Sequence, residues 1–450
     1  MTDRAIAFLL ILLLLSLTTV VGRVRGRGPN PVAFHNGAWM LALVVLATRW
    51  IAYVPVGSAG WALIVLSILA FNLGAVLPKL GSSPHRQHSL SRYRFTGFTY
   101  VLPALFTIGL AFYLHAVISQ FGLHSLLSAP SDVRSKQASE EFIAGFPLVA
   151  RLCYFLGPLV FIAYANPRLS GVCASKRVRW LLLGFVIVAL AASLGRTLVL
   201  VALTWQSGVV YLSRKRPGSS RSSAKATARR WAAFATMILL AAVMFQVVAV
   251  FVGKDASSDS RVQPYVRGRL QGSRLTSVVL YTSGELPTLG RLAADPRTGR
   301  TTLGGQRAGW ATFGTVVKLI PGWRATDEIS GYAHIPFPFN AYTWLEPFFR
   351  DFGTAGVIGL PFLVGALVGV LVVRPRRSTY GVLGAALCIG LTVWAPFVNK
   401  FTSTFTWEYA VILGWLALLS RSTPVTKAAA DHGLTHRVSA VGISGTDSRP

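Results

Sequence analysis

The sequence predicts an all-α polytopic integral membrane protein of about eleven transmembrane helices, with one long extracytoplasmic loop between the eighth and ninth. Three observations predict it. Apolar residues gather in runs near 18–22 residues, the length that crosses ~30 Å of hydrocarbon. The chain is 53% hydrophobic and only 13% charged, with a mean hydropathy of +0.54. Its cations collect between alternate runs, as they do in loops that face the cytoplasm. The short alternating segments of a membrane β-barrel are not the pattern here.

The first run, Ala5–Val21, has the look of a signal peptide but lacks a small-residue cleavage site. Arg23, Arg25 and Arg27 follow it as a stop-transfer pattern, so it is read as a helix. Further spans are predicted at Gly37–Pro55, Gly60–Leu77, Gly97–Ser119, Leu148–Ala165, Trp180–Gly195, Thr197–Ser213 and Trp231–Val252. Three more follow at Thr354–Val373, Tyr380–Val398 and Thr404–Ser420. The chain thus divides into an N-terminal bundle, 1–252, with a small outer loop at 120–147, and an extracytoplasmic loop, 253–353. C-terminal helices, 354–420, and a disordered cytoplasmic tail, 421–450, complete it.

A net charge of +29 in a soluble chain would point to nucleic acid. Threaded with the N-terminus outside, however, the cytoplasmic segments hold 25 Lys and Arg against two acids, Asp431 and Asp447. The charge therefore reports topology, and no nucleic-acid partner is expected. Cys153, Cys173 and Cys388 lie in or beside apolar runs with no CxxC pair, which indicates neither a loop disulfide nor a zinc site. Within the long loop, Leu270–Ala294 and Ala311–Ile320 have helix-like apolar spacing, and part of the loop is read as lying flat on the membrane surface. Gly299–Gly309 is turn-rich and Ser219–Ala226 reads as a flexible linker.

The stretch His334–Gly356 carries the densest chemistry. His334, Asn340, Tyr342, Glu346, Arg350 and Asp351 are threaded through Pro and Phe just ahead of an apolar run. That pattern predicts a site at the water–lipid boundary. His334 is suited to general-base work or to a structural hydrogen bond, and Asp351 to a base or to the N-cap of the Thr354–Val373 span. Arg49, Arg151 and Arg196 interrupt apolar runs, where an arginine costs at least ~2.5 kcal/mol and either snorkels or is kept for a partner. Ser193–Thr197 reads as the tight outer turn of a helical pair, so Arg196 beside a helix N-terminus is suited to an anion site or to a structural cap for the hairpin. Arg267, Arg269 and Arg274 crowd one short segment, a pattern for headgroups or polyanions. The chain lacks GxxxxGK[ST], HExxH and GxSxG, and no outer loop has Asp-x-Asp to grip a divalent metal.

Phe339-Asn340-Ala341-Tyr342-Thr343, then Phe348-Phe349-Arg350-Asp351-Phe352-Gly353 and Gly356, resembles the end of the large outer loop in oligosaccharide repeat-unit polymerases, the Wzy-type O-antigen polymerases. The turn around Arg196 is similar to a second signature of that group, and Val279–Leu292 and Gly309–Ile320 sit where the family places its loop helices. Glu346 departs from the pattern, standing where a variable or basic residue is expected. The resemblance implies a glycosyltransferase on the outer face of a bacterial plasma (inner) membrane, acting on undecaprenyl-diphosphate-linked oligosaccharide without metal or cofactor. It implies Arg196 at the departing diphosphate and His334 or Asp351 as base. Arg151, Arg269, Arg274, Asn340, Tyr342, Glu346 and Arg350 would then bind substrate. The lipid bilayer, a flippase and a chain-length regulator are the partners it implies. The related O-antigen ligases, which hand glycan to another acceptor, are one rival. A non-enzymatic lipid or polysaccharide transporter is another, predicting helices broken near the midplane. A structural membrane subunit is a third, which a large loop rich in Arg and aromatics fits poorly.

Overall fold

The computed structural model describes residues 2–25, 30–80, 97–128, 133, 146–192, 196–212, 243, 246–247, 250, 255–298, 309–314, 331–373 and 379–422. Most of the predicted span Trp231–Val252, the linker 219–226, turn residues 193–195, residues 299–308, residues 315–320 and the tail from 423 lie outside the described residues.

Three apolar helices open the chain: α1 (Asp3–Arg25), α2 (Val32–Thr48) and α3 (Gly57–Leu80). Asp3 ties the start of α1 to that of α3. Its carboxylate accepts the Trp61 indole N–H at 2.8 Å and the Val56 amide at 3.1 Å, while its charge favours the N-terminus of α1. Deeper in, Asn36 is a polar hub. Its amide group donates to Thr18 Oγ1 and Asn72 Oδ1, and its oxygen accepts from Asn72 and pairs with His35 Nδ1. Apolar surroundings leave such groups no water, so they must satisfy one another.

A second group comprises α4 (Gly97–Ser128), α5 (Leu148–Phe155), α6 (Gly157–Ala165), the single turn α7 (Pro167–Ser170), α8 (Lys176–Ala192) and α9 (Arg196–Leu212). The predicted Leu148–Ala165 span is thus two helices meeting at Leu156. Two loop helices follow, α10 (Leu275–Ser283) and α11 (Glu285–Ala294), and then a small hairpin of β1 (Ala333–His334) and β2 (Pro338–Phe339). The chain closes with α12 (Leu345–Val373), α13 (Thr379–Leu391), a 3₁₀ turn over Thr392–Trp394 and α14 (Thr404–Ser422).

Glycines set how the helices run against each other. A Cβ on Gly365 would lie 2.2 Å from the Phe71 carbonyl oxygen, and one on Gly369 2.6 Å from that of Ala75. Both pairs are four residues apart, so α3 and α12 run in the same direction with backbones touching, as small residues permit. Gly208 meets Ala386 and Gly390 meets Thr204, so α9 and α13 run in opposite directions. Gly60 and Gly290 hold α11 against the start of α3, which makes this the loop end of the bundle.

The buried side chains form two cores. One joins α4–α6, α8, α9, α13 and α14; the other joins α1–α3, the loop helices, the hairpin and the start of α12. Val364 and Phe401 pack against both. Among the described residues, five stretches are long and apolar enough to cross a membrane: Asp3–Val24, Gly57–Pro78, Phe98–Gly122, Leu148–Ala165 and Leu345–Val372.

Candidate functional site

The stretch His334–Gly356 does not simply lead along a boundary into a span; it dips into the bundle and returns. The hairpin sits at the loop end, where Ile335 O accepts the Val54 amide at 3.3 Å and Phe337 packs near Tyr53 and Tyr265. Asn340–Thr343 then descend to Trp344, which is fully buried. Its ring lies 5.6 Å from His35, 6.0 Å from Phe71 and 6.0 Å from Phe401. Phe71 stands eleven residues along α3 from Gly60, so the tip reaches roughly 16 Å below the loop end. From there Leu345–Phe352 climbs back, and Gly353, at φ 58 and ψ −146, reverses the chain. The expected span Thr354–Val373 is the returning leg. The reason for the dip is physical: Trp344 and Phe348 bury large rings that a surface course would leave wet.

The irregular segment after α13 receives this tip. Trp344 N–H donates to Ala395 O at 3.0 Å, and Asn399 donates to Trp344 O at 3.3 Å. The predicted span Tyr380–Val398 therefore stops as regular helix at Leu391, short of the loop end. Non-helical backbone at such depth is tolerated where protein supplies its hydrogen bonds.

On the climbing leg, Glu346 and Arg350 are one helical turn apart and share a face. Arg350 Nε donates to Glu346 Oε1 at 2.8 Å, and Nη2 donates to the Thr298 carbonyl at 2.9 Å. The guanidinium lies 5.5 Å from the Tyr342 ring centre, whose hydroxyl donates to Gly331 O at 3.1 Å. Burial, reinforced by the Glu346 charge and opposed by that of Arg350, pushes the Tyr342 phenol up to about 12. The Arg350 side chain is 7% exposed, yet its Nη1 is buried with no hydrogen-bond partner among the described residues. A buried donor without a partner is costly, and it identifies where an anionic or carbonyl oxygen would be gained.

Asp351 does not cap the returning leg. Its oxygens accept the Ala311 amide at 3.3 Å and the Thr312 amide at 2.6 Å, pinning the loop segment 309–314 to the climbing leg. Thr312 Oγ1 adds a bond to Pro347 O. His334 is exposed on β1, and Asn340 is half-buried at the start of the descent.

The remaining predicted arginines are dispersed. Arg151 lies on α5 in the other core, its Nε buried without a partner. Arg269 and Arg274 are exposed before α10. Arg196 opens α9, and its side chain is outside the described residues. Its backbone is nonetheless at the loop end. Thr204 meets Gly390 and accepts the Trp394 indole N–H, Ala395 binds Trp344, and α9 continues from Thr204 towards Arg196 in the direction of the climbing leg.

Three features were missed in the sequence. Glu285, 1% exposed, has Oε2 buried without a partner, and burial holds its carboxyl well above the ordinary 4.5. A first-turn glutamate is an ordinary helix-opening residue, so only the packing of α11 reveals its burial. His35 and Asn36, immediately ahead of the Gly37 run, and Glu408, inside the Thr404–Ser420 run, were legible as polar residues in apolar surroundings.

The fold is that of a mostly helical protein with several helices long and apolar enough to cross a membrane. No family model, curated protein or solved structure matches the chain.

Proposed function

We propose that the chain is a membrane glycosyltransferase that polymerises undecaprenyl-diphosphate-linked oligosaccharide repeat units on the outer face of a bacterial plasma membrane. In this reading it spans the membrane about eleven times with its loop end outside. The observation that carries it is Arg350: a buried guanidinium, neutralised on one edge by Glu346, with Nη1 left over for an anionic oxygen. The likeness of Phe339–Gly356 to polymerase outer loops supports it, as does the position of α9's first residue at the same end of the bundle.

The reaction breaks the bond between an anomeric carbon and the diphosphate oxygen, while a sugar hydroxyl of the second repeat unit forms the new bond. Arg350 and Arg196 balance the charge growing on the departing diphosphate, the role a fixed cation fills in acyl and phosphoryl transfer. The hydroxyl proton passes to a base. Asp351 has both oxygens committed to backbone amides, which leaves His334, exposed on the hairpin, as the better candidate.

The test is the glycan ladder of a deletion strain complemented with Arg350→Gln or Arg196→Ala. Loss of polymer with single repeat units retained is expected. An unchanged ladder in both removes the arginines from the mechanism.

Transport is the second reading, and one observation favours it: the break after α13 interrupts a helix at depth, beside the buried tip at Trp344. Loss of all surface glycan in the deletion strain, single units included, would select it.

A further inference from the structure

We propose that the edge formed by Arg49, Trp50, Arg267, Arg269 and Arg274 is a docking surface for the anionic phosphate headgroups of the surrounding lipid leaflet. This goes beyond the glycosyltransferase reading and does not depend on it.

The edge is built by a short strand pairing where α2 ends. Ile51 and Val266 form an antiparallel bridge, Arg267 N–H donates to Trp50 O at 2.8 Å, and Ala52 N–H donates to Tyr265 O at 2.8 Å. Ile51 and Val266 are 2% and 5% exposed, so they face the core. Side chains alternate along extended backbone, so their neighbours Trp50 and Arg267 face outward. The chain then winds through the 3₁₀ turn Gly268–Leu270, allowed by Gly268 at φ 61 and Gly272 at φ 69. Leu270 turns inward, while Arg269 and Arg274 stay exposed. Arg49 adds to the edge from a left-handed conformation at φ 55, the one non-glycine residue with positive φ among those described.

Two further observations place this edge at headgroup level and select its partner. Leu41 and Val44 form an exposed apolar stripe on α2 that leads up to Thr48, Arg49 and Trp50. Where such a stripe ends, tryptophan and arginine meet the interface. Apolar Leu275, 60% exposed, and Trp50, 45% exposed, sit among the arginines, a mixture that suits lipid better than a soluble polyanion. Among the described residues, none of the four arginines meets a carboxylate, whereas nearby Arg261 is paired with Asp259 at 2.9 Å.

The experiment uses the full-length protein, purified in detergent and offered an equimolar mixture of phosphatidylglycerol and phosphatidylcholine. Retained lipid is read by native mass spectrometry. Wild type is expected to prefer phosphatidylglycerol, each single Arg→Gln change at these four positions to cut the preference about fivefold, and the quadruple variant to keep only the remainder due to cations elsewhere in the chain. Arg261→Gln should keep the wild-type preference. Parity in the wild type, an undiminished preference in the quadruple variant, or an Arg261→Gln loss equal to the others overturns the proposal. If the quadruple variant elutes as aggregate, Arg267→Gln alone decides, since only its exposed side chain changes.

Discussion

Gly356 lies against Phe348: a Cβ at Gly356 would come within 2.3 Å of the Phe348 carbonyl oxygen. Residues eight apart on a continuous helix would be roughly 12 Å from each other. The contact exists because the chain doubles back at Gly353, and it packs the returning leg against the climbing leg that carries Glu346 and Arg350.

Gly356→Ala should therefore destabilise the protein, since its methyl would meet both Phe348 O and the Phe352 Cβ. A loss of about 1–3 kcal/mol is expected from such overpacking. Thermal unfolding in detergent measures it, with Gly359→Ala as the comparison because open space surrounds that position. Equal melting temperatures for the two variants would contradict the reversal.

Asn36 is the hub of the buried polar network, and Asn72 is one of its spokes. Asn36→Leu leaves Thr18, His35 and Asn72 short of partners at once, whereas Asn72→Leu spares the Asn36 bonds to Thr18 and His35. Each buried group stranded costs about 1–3 kcal/mol. Asn36→Leu should melt lower than Asn72→Leu, and the reverse order would count against the network.

Glu285 binds its proton more tightly when folded than when unfolded, because burial disfavours its charged form. Its contribution to stability is thus whole below the unfolded value near 4.5 and declines as pH rises towards the folded value, by up to about 1.4 kcal/mol per pH unit. Glu285→Gln removes that decline. Melting curves between pH 5 and 8 should be flatter for the variant; parallel curves would show that Glu285 is not buried in solution.

Asp351→Ala strands the Ala311 and Thr312 amides, at a cost of about 1–3 kcal/mol. Limited proteolysis should then cut near 309–314 sooner than in wild type. Unchanged cleavage would mean that Asp351 does not hold this segment.

Much of the helical layout was legible from composition alone. The runs beginning near Gly60 and Leu148 and at Thr354 and Thr404 coincide with described helical elements, because any helix among lipid or apolar neighbours must carry an apolar surface. Leu270–Ala294 likewise showed helical spacing, and α10 and α11 occupy most of it. The candidate site was legible only as a set of residue types. Nothing in its spacing distinguishes a segment that skirts the bundle from one that enters it, since aromatic and proline residues serve either course.

By itself, then, the sequence determined a helical chain with apolar runs of spanning length and a polar stretch rich in His, Tyr, Glu, Arg and Asp, because hydrophobic run length and charge placement are local properties. Only the tertiary structure decided that Gly353 reverses the chain, that Arg350 is buried with one nitrogen unfilled, and that Asp351 holds a loop instead of capping a helix. Those outcomes depend on which distant backbone, at Thr298, Ala311 or Ala395, arrives to accept or donate a hydrogen bond, and no local pattern encodes that.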